Sequence, residues 1–325
     1  MNYNYVIGFL LTILLIVLSA GCVANQTPGQ ESLTPVTANV TGDPSSQSQS
    51  SAMLGSVSHA MSLSLPAKGT PETILVYKTV APDVSRRHLE EYTRIFHVNG
   101  SISDNEKTIY IQSKDLINYI EIGKASGNVR YGVQNRPNDA LDTPDKLPSD
   151  EEAVKIAMQF LKENNLYPDG MQTGKADRHY AVSTDKNGNE IRHSGQIDVW
   201  FGRTLNNFKV WGTQLEVTVG GNGDIIGYYA NWRDYAPTGE YPIKSPETAF
   251  EDLERVGIKT DMNDPSISIT EATLAYRTMA GAYEEEYLEP IWVFSGEASS
   301  GKEGAQTVSK FIPALTDDAM RSLSS

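Results

Sequence analysis

Apolar positions fall into three regimes along the chain. Tyr5 to Gly21 (YVIGFLLTILLIVLSAG) is an unbroken apolar run, and residues 1–22 carry no charged side chain. Asn25 to Ser51 is dominated by Ser, Thr, Gln, Pro, Gly and Asn, with Glu31 and Asp43 its only charges. From about Pro71 the apolar residues recur with periods of 3.6 and 2, which predicts helices and half-buried strands.

The 3.6 period appears three times. From Val84 to Phe96, the residues Val84, His88, Leu89, Tyr92, Ile95 and Phe96 form one stripe, and Asn99-Gly100 ends the helix. Ser149-Asp150-Glu151-Glu152 is a capping box, in which the Ser hydroxyl accepts from an orphan amide and Glu152 reaches back. Ala153, Ile156, Ala157, Phe160 and Leu161 are the inward face of that second helix. The third starts at Ser245-Pro246-Glu247, with Pro at the first helical position, carries Ala249, Phe250, Leu253 and Val256 as its stripe, and stops at Gly257.

Strands are predicted after each helix: at 108–112, 118–122 and 129–133; at 178–184, 190–201, 209–219 and 225–235; and at 266–277, 288–295 and 308–314. Ser126–Asn128, Asp185–Asn189 and Gly220–Asp224 read as hairpin turns. In Gln214–Val219, Leu215, Val217 and Val219 share one face while Gln214, Glu216 and Thr218 share the other, the mark of a sheet with one wet side. The repetition predicts an α+β fold of units with one helix on an antiparallel sheet. Residues 23–70 read as a flexible linker, 71–140 as a first α+β unit and 141–325 as a tandem α+β domain. Asp139–Pro148 and Pro237–Pro242 read as linkers.

The net charge of −14 and pI near 4.8 repel phosphate backbones and anionic headgroups, so nucleic acid is not an expected partner. Cys22 is the only cysteine, which leaves no intrachain disulfide and no Cys-based zinc site. It stands at the end of the apolar run, in Leu18-Ser19-Ala20-Gly21-Cys22, which resembles a lipobox. A cleaved lipoprotein signal is the favoured reading. An uncleaved membrane span is the second, since about 17 apolar residues is the lower limit for crossing, and a buried core helix is the third. The absence of Lys and Arg before the run, and Ser19 where bacterial lipoboxes usually place Leu, resemble archaeal lipoproteins. Either of the first two readings holds the chain, through its N-terminus, at the outer face of the cytoplasmic membrane. A tether of about 40 polar residues adds a mean reach of roughly 35 Å. Asn25, Asn39 and Asn99 head N-glycosylation sequons.

Phe208-Lys209-Val210-Trp211-Gly212, then Gln214–Val219 and Asn222-Gly223-Asp224-Ile225-Ile226, resemble the strand pair of the PepSY module in thermolysin-class propeptides. Leu274-Ala275-Tyr276-Arg277, Tyr287–Phe294 and Phe311-Ile312-Pro313-Ala314 are similar to the closing strands of the YycH/YycI-type regulators. The resemblance spans 149–315 and, more thinly, 71–135. It implies PepSY-like repeats in an extracytoplasmic, membrane-anchored regulator associated with a two-component sensor kinase. It carries over no catalytic residue.

Chemistry is sparse. The histidines His59, His88, His97, His179 and His193 show no metal-ligand spacing and read as packing, strand or linker residues. No Gly-x-Ser-x-Gly elbow and no phosphate-binding glycine loop occurs. Asp185, Asn187 and Asn189 alternate like the start of a calcium loop, but Gly188 comes too early and a turn is the better reading. Glu284–Glu286 reads as a solvated loop. No cofactor or metal is expected. Trp200, Trp211, Trp232 and Trp292, with Tyr228, Tyr229 and Tyr235, concentrate aromatic mass on strands. They read either as core or as a face that receives an extended peptide, aided by an open sheet edge. The expected function is therefore non-enzymatic: binding or regulating another extracytoplasmic protein or peptide, with a sensor kinase the partner implied by the resemblance. A modulator or inhibitor of a secreted protease, and an envelope structural or ligand-binding lipoprotein, are the alternatives.

Overall fold

A computed structural model describes residues 61–64, 70–133, 144–262, 264–300 and 304–324. Cys22, Asn25 and Asn39, the apolar run, His59 and most of the predicted linker lie outside the described residues.

Among the described residues the chain forms fourteen strands and four α-helices. The strands are β1 (Met61–Leu63), β2 (Thr73–Thr79), β3 (Gly100–Asp104), β4 (Thr108–Ser113), β5 (Asn118–Gly123), β6 (Val129–Val133) and β7 (Lys175–Thr184), followed by β8 (Glu190–Leu205), β9 (Phe208–Val219), β10 (Ile225–Asn231), β11 (Tyr235–Pro242), β12 (Ser266–Arg277), β13 (Tyr287–Ser300) and β14 (Gly304–Pro313). The helices are α1 (Arg86–Ile95), α2 (Asp150–Glu163), α3 (Pro246–Val256) and α4 (Asp317–Leu323). Ser85, Ser149, Ser245 and Thr316 cap them, each hydroxyl accepting from the amide three residues on.

All fourteen strands join one sheet, and this overturns the expected α+β repeat of one helix per antiparallel unit. The sheet is the dominant element, and it is mixed: β1 and β9 both pair parallel with β12. Helix count per unit fails too. Both α1 and α2 cover one core, and both α3 and α4 border the other. The physical reason is that strand pairing is tertiary. β2 precedes α1 in sequence, yet it pairs with β11 and β13, and its Ile74, Val76 and Tyr77 enter the core of α3. Met61–Leu63, within the stretch read as linker, pairs with Ile267–Ile269.

The first part of the sheet runs β7-β8-β9-β10-β6-β5-β4-β3, every pair antiparallel. One face is covered: α1 packs over β4 and β5, and α2 over β7, β8 and β9. Ala153, Ala157 and Leu161 are fully buried, the two alanines letting α2 approach the strands closely. Beneath α1, Phe96 stacks on Tyr131 at 4.1 Å and meets Tyr228 at 5.6 Å. The second part holds β12, β13, β14, β2, β11 and β1. Its core is built on Tyr276, Phe294, Leu253 and Trp292, and the Tyr276 hydroxyl donates to the Leu75 carbonyl at 2.6 Å.

A polar clamp ties the β12–β13 loop to the first part. Arg233, 4% exposed, donates to the carbonyls of Met279 (2.6 Å), Ala280 (3.4 Å) and Tyr283 (2.5 Å) and to Thr278 Oγ1 (3.0 Å). Arg203, 6% exposed, lies 4.9 Å from both the Trp232 and Tyr235 rings and donates to the Arg233 carbonyl. Glu285 accepts from the Tyr235 hydroxyl at 2.8 Å, from Thr278 Oγ1 at 3.0 Å and from the Met279 amide. The solvated-loop reading of Glu284–Glu286 is thus corrected at its middle residue. The Asp185 turn forms as expected, its carboxylate accepting from the Asn187 and Asn189 amides at 2.8 Å.

Candidate functional site

The four tryptophans do not converge. Trp292 is buried, 3% exposed, and its Nε1 donates to the Lys244 carbonyl at 3.1 Å. Trp232 packs on the first core under Arg203. Trp211 lies on the outer face of the second part, against Phe311 at 5.3 Å and under Lys209. Trp200 alone borders a large hollow. Asn99 is exposed just before β3.

That hollow, of about 790 Å³, lies on the open face of the first eight strands, opposite the helices. It follows from register. One row of residues crosses six strands as Tyr110, Glu121, Arg130, Tyr229, Glu216 and Trp200, each paired with the next. The adjacent row reads Gln112, Tyr119, Gly132, Gly227, Thr218, Asp198 and Asp177. Gly132 and Gly227 face each other in its middle and leave the floor without side chains. A Cβ at Gly132 would stand 2.7 Å from the Tyr119 ring, and one at Gly227 would stand 2.6 Å from Thr218 Oγ1. Tyr119, Trp200, Tyr229 and Thr218 rise around that floor. His179 and Gln196, paired across β7 and β8, border it at the β7 edge.

Electrostatics single out two carboxylates. Asp198 is 7% exposed; it accepts from Gln196 Nε2 at 3.0 Å and lies 3.4 Å from His179 Nε2. Burial pushes its carboxyl up, against the hydrogen bonds from Thr218 and Gln196. Glu216 accepts from Thr218 Oγ1 at 3.3 Å. Burial first, and the charge of Asp198 second, raise its carboxyl from 4.5 to about 7. Among the described residues no Lys or Arg lies within ion-pair distance of Glu216. The Arg130 guanidinium sits 5.2 Å over the Tyr229 ring instead. A carboxyl titrating near neutrality inside a hollow is a mark of a functional site. Among the described residues no three His, Cys, Asp or Glu side chains converge as metal ligands.

Sequence reasoning placed Glu216 and Thr218 on a wet face but did not single out Asp198, His179, Arg130 or Tyr119. The same alternation signal runs through β8, where Gln196, Asp198 and Trp200 face outward while Ile197, Val199 and Phe201 face the core. The histidine reading is sharpened for His179, which borders the hollow, and His88 packs edge-on against Tyr92 at 5.1 Å.

No protein-family model matches the chain, and no curated protein matches it. Among solved structures, the crystal structure of an uncharacterized protein from Eubacterium rectale ATCC 33656 matches over 77% of this chain and 87% of its own. It does so at 12% identity with a TM-score of 0.42, a likeness too distant to carry an argument.

Proposed function

We propose that this chain is a surface-tethered, non-enzymatic protein that receives an extended segment of another extracytoplasmic protein on the open face of its first eight strands. The observation that supports this reading is the hollow itself. Two helices bury one face of the sheet, while the other is left open around a glycine floor ringed by Tyr119, Trp200 and Tyr229. Its volume falls within the range of binding pockets, about 300–1,000 Å³. Rigid aromatics offer contact area at low entropic cost. Thr218, Gln196 and Glu216 add hydrogen-bonding groups that a peptide backbone or side chain could use. The apolar run ending at Cys22 and the polar segment after it would hold this face outside the membrane. The extracytoplasmic part of a sensor kinase is the first partner to test, on the resemblance of the closing strands to YycH/YycI-type regulators.

The test is site-specific photo-crosslinking in intact cells. A photoreactive residue at Tyr119 is expected to trap one envelope protein, and Gly227→Val, which fills the floor, is expected to abolish that product. The same residue at Val256, exposed on α3, is expected to trap none. Identical products from both positions, or no product from Tyr119, would refute the reading.

A further inference from the structure

The hollow is not chemically neutral, and its charge pattern discriminates among occupants. Across three neighbouring strands, Trp200, Glu216 and Tyr229 are direct cross-strand partners, so a carboxylate stands between two aromatic rings. Diagonally from Glu216, Asp198 stands beside Asp177 on the next strand, and Thr218 lies between the two hollow carboxylates, donating to Glu216. Glu216 lines the β9 side, and Asp198 and Asp177 stand in the row behind it. The cations nearby are already engaged or marginal. Arg130 stacks on Tyr229 and has Glu121 as its cross-strand partner on the other side. His179 lies between Asp177 (3.5 Å) and Asp198 (3.4 Å), and Lys175 pairs with Trp200 at the outer end of the row.

We infer that the β8–β9 side of the hollow is a subsite for a basic side chain, lysine or arginine, of the bound segment. This deepens the peptide-face reading and rests on it. An ammonium or guanidinium entering beside Glu216 meets a carboxylate that no Lys or Arg of the described residues contacts, Arg130 acting on it only from beyond ion-pair distance, a second carboxylate one row away, and the Trp200 ring for a cation–π contact. An anion would meet the Glu216 carboxylate, with Asp198 and Asp177 adding their charge from the row behind. An apolar side chain would leave the carboxylates half-buried and unpaired, the costliest arrangement. The site also titrates. A cation needs Glu216 ionised, and that carboxyl ionises near 7. Affinity then scales with the ionised fraction and rises about ten-fold between pH 6 and pH 8. The other ionisable groups around this carboxyl are Arg130, Lys175, Tyr229, His179, Asp177 and Asp198.

The experiment titrates the purified full-length chain with Nα-acetyl-lysine N-methylamide and with its norleucine counterpart, at pH 6 and pH 8, followed by NMR. The lysine probe is expected to bind at least ten-fold more tightly than norleucine at pH 8, with most of that margin lost at pH 6. Glu216→Gln is expected to remove the margin and its pH dependence, the lysine probe binding more weakly at pH 8 and the norleucine probe no more weakly than to the parent. His179→Gln is expected to keep both, which assigns the pH dependence to Glu216. Gly227→Val is expected to weaken both probes. Equal binding of lysine and norleucine at pH 8, or a lysine preference that survives Glu216→Gln, overturns the subsite even if the hollow crosslinks a partner. A lysine preference that holds while the Tyr119 crosslink fails keeps the cation subsite and sinks only the peptide-face reading.

Discussion

Replacing Glu216 by Gln should stabilise the protein increasingly from about pH 4.5 upward, with the gain complete above about pH 7. Gln keeps the shape and still offers an oxygen to Thr218 Oγ1, but it never ionises. The unfolded Glu216 ionises through 4.5 and the folded one through about 7. Between those values the folded state holds a proton that the unfolded state has released, so stability falls as pH rises. It is flat below the unfolded value and fully reduced above the folded one. At about 1.4 kcal/mol per pH unit, the reduction approaches roughly 3 kcal/mol above pH 8. Partial exposure of the side chain makes this an upper figure. The expected result is a variant about equal to the parent at pH 4 and up to about 3 kcal/mol more stable at pH 8.5.

Urea unfolding at the two pH values measures this directly, provided the slope with denaturant is unchanged, so that a shifted midpoint reports stability alone. A parallel thermal scan should show the gain as a Tm higher by roughly 10 °C at pH 8.5, at about 2–4 °C per kcal/mol for a domain of this size. Asp198→Asn belongs in the same experiment. It removes the second cause of the raised Glu216 carboxyl and should return part of the same stability, and the double variant should gain less than the sum of the two. Equal effects of Glu216→Gln at both pH values would refute the reasoning, because they would mean that the Glu216 carboxyl is solvated in the folded protein.

Three further outcomes follow from other parts of the molecule. Arg233→Met removes a buried donor from the carbonyls of Met279, Ala280 and Tyr283, leaving Met279 with Asn231 Nδ2 and Ala280 with the Tyr283 amide; a loss of about 1–3 kcal/mol is expected in urea unfolding, with new proteolytic cleavage at 279–283. Leu253→Ala, at a fully buried position of α3, should cost about 2–5 kcal/mol by the same measure. Cys22→Ala should abolish incorporation of radiolabelled lipid and the mobility shift of processing; unchanged processing would refute the lipobox reading and favour an uncleaved span.

Local features of the fold were legible because they are written in neighbouring residues. The capping Ser149, Pro246 at the start of α3 and the alternation of β12 each predict the element the chain forms. Strand β11 was not legible: YAPTGEYP carries two prolines and a glycine and reads as a linker. It survives as a strand because it pairs only with β2, at the sheet's edge, with a bulge between Pro237 and Gly239. Helix α4 is only seven residues long, too short for a periodic signal. The larger miss is architectural. A helix followed by strands looks like a self-contained unit, and nothing local in β2 says that it will join a core some 170 residues further along the chain. The hollow was hidden for the same reason. Gly132 and Gly227 come together only through the β6–β10 register, so neither glycine reads as special in its own strand. The tryptophans misled in the opposite sense: shared residence on strands is not shared residence on a face.

What makes the hollow a credible site is that Glu216 is held where it is costly to keep. Its strand, β9, is fixed from every side. Leu215, Val217 and Val219 are buried in the first core, and Val210 in the second. One edge pairs with β8, while the other pairs with β10 and, at Val210 and Trp211, with β12. At Gly212 the backbone takes φ 83°, a conformation that favours glycine, and the Gly212 carbonyl accepts from Asn231 Nδ2 at 3.4 Å. A carboxyl on a free strand or loop would escape its buried setting by moving toward water. On this strand the backbone cannot follow, so relief comes from a proton or from a cation entering the hollow. A packing role for position 216 would be met better by Gln or Thr, which carry no charge to desolvate. The carboxyl therefore makes physical sense as half of an interaction whose other half comes from outside the chain, and the pH at which the gain from Glu216→Gln levels off should coincide with the midpoint of the rise in the parent's preference for lysine over norleucine.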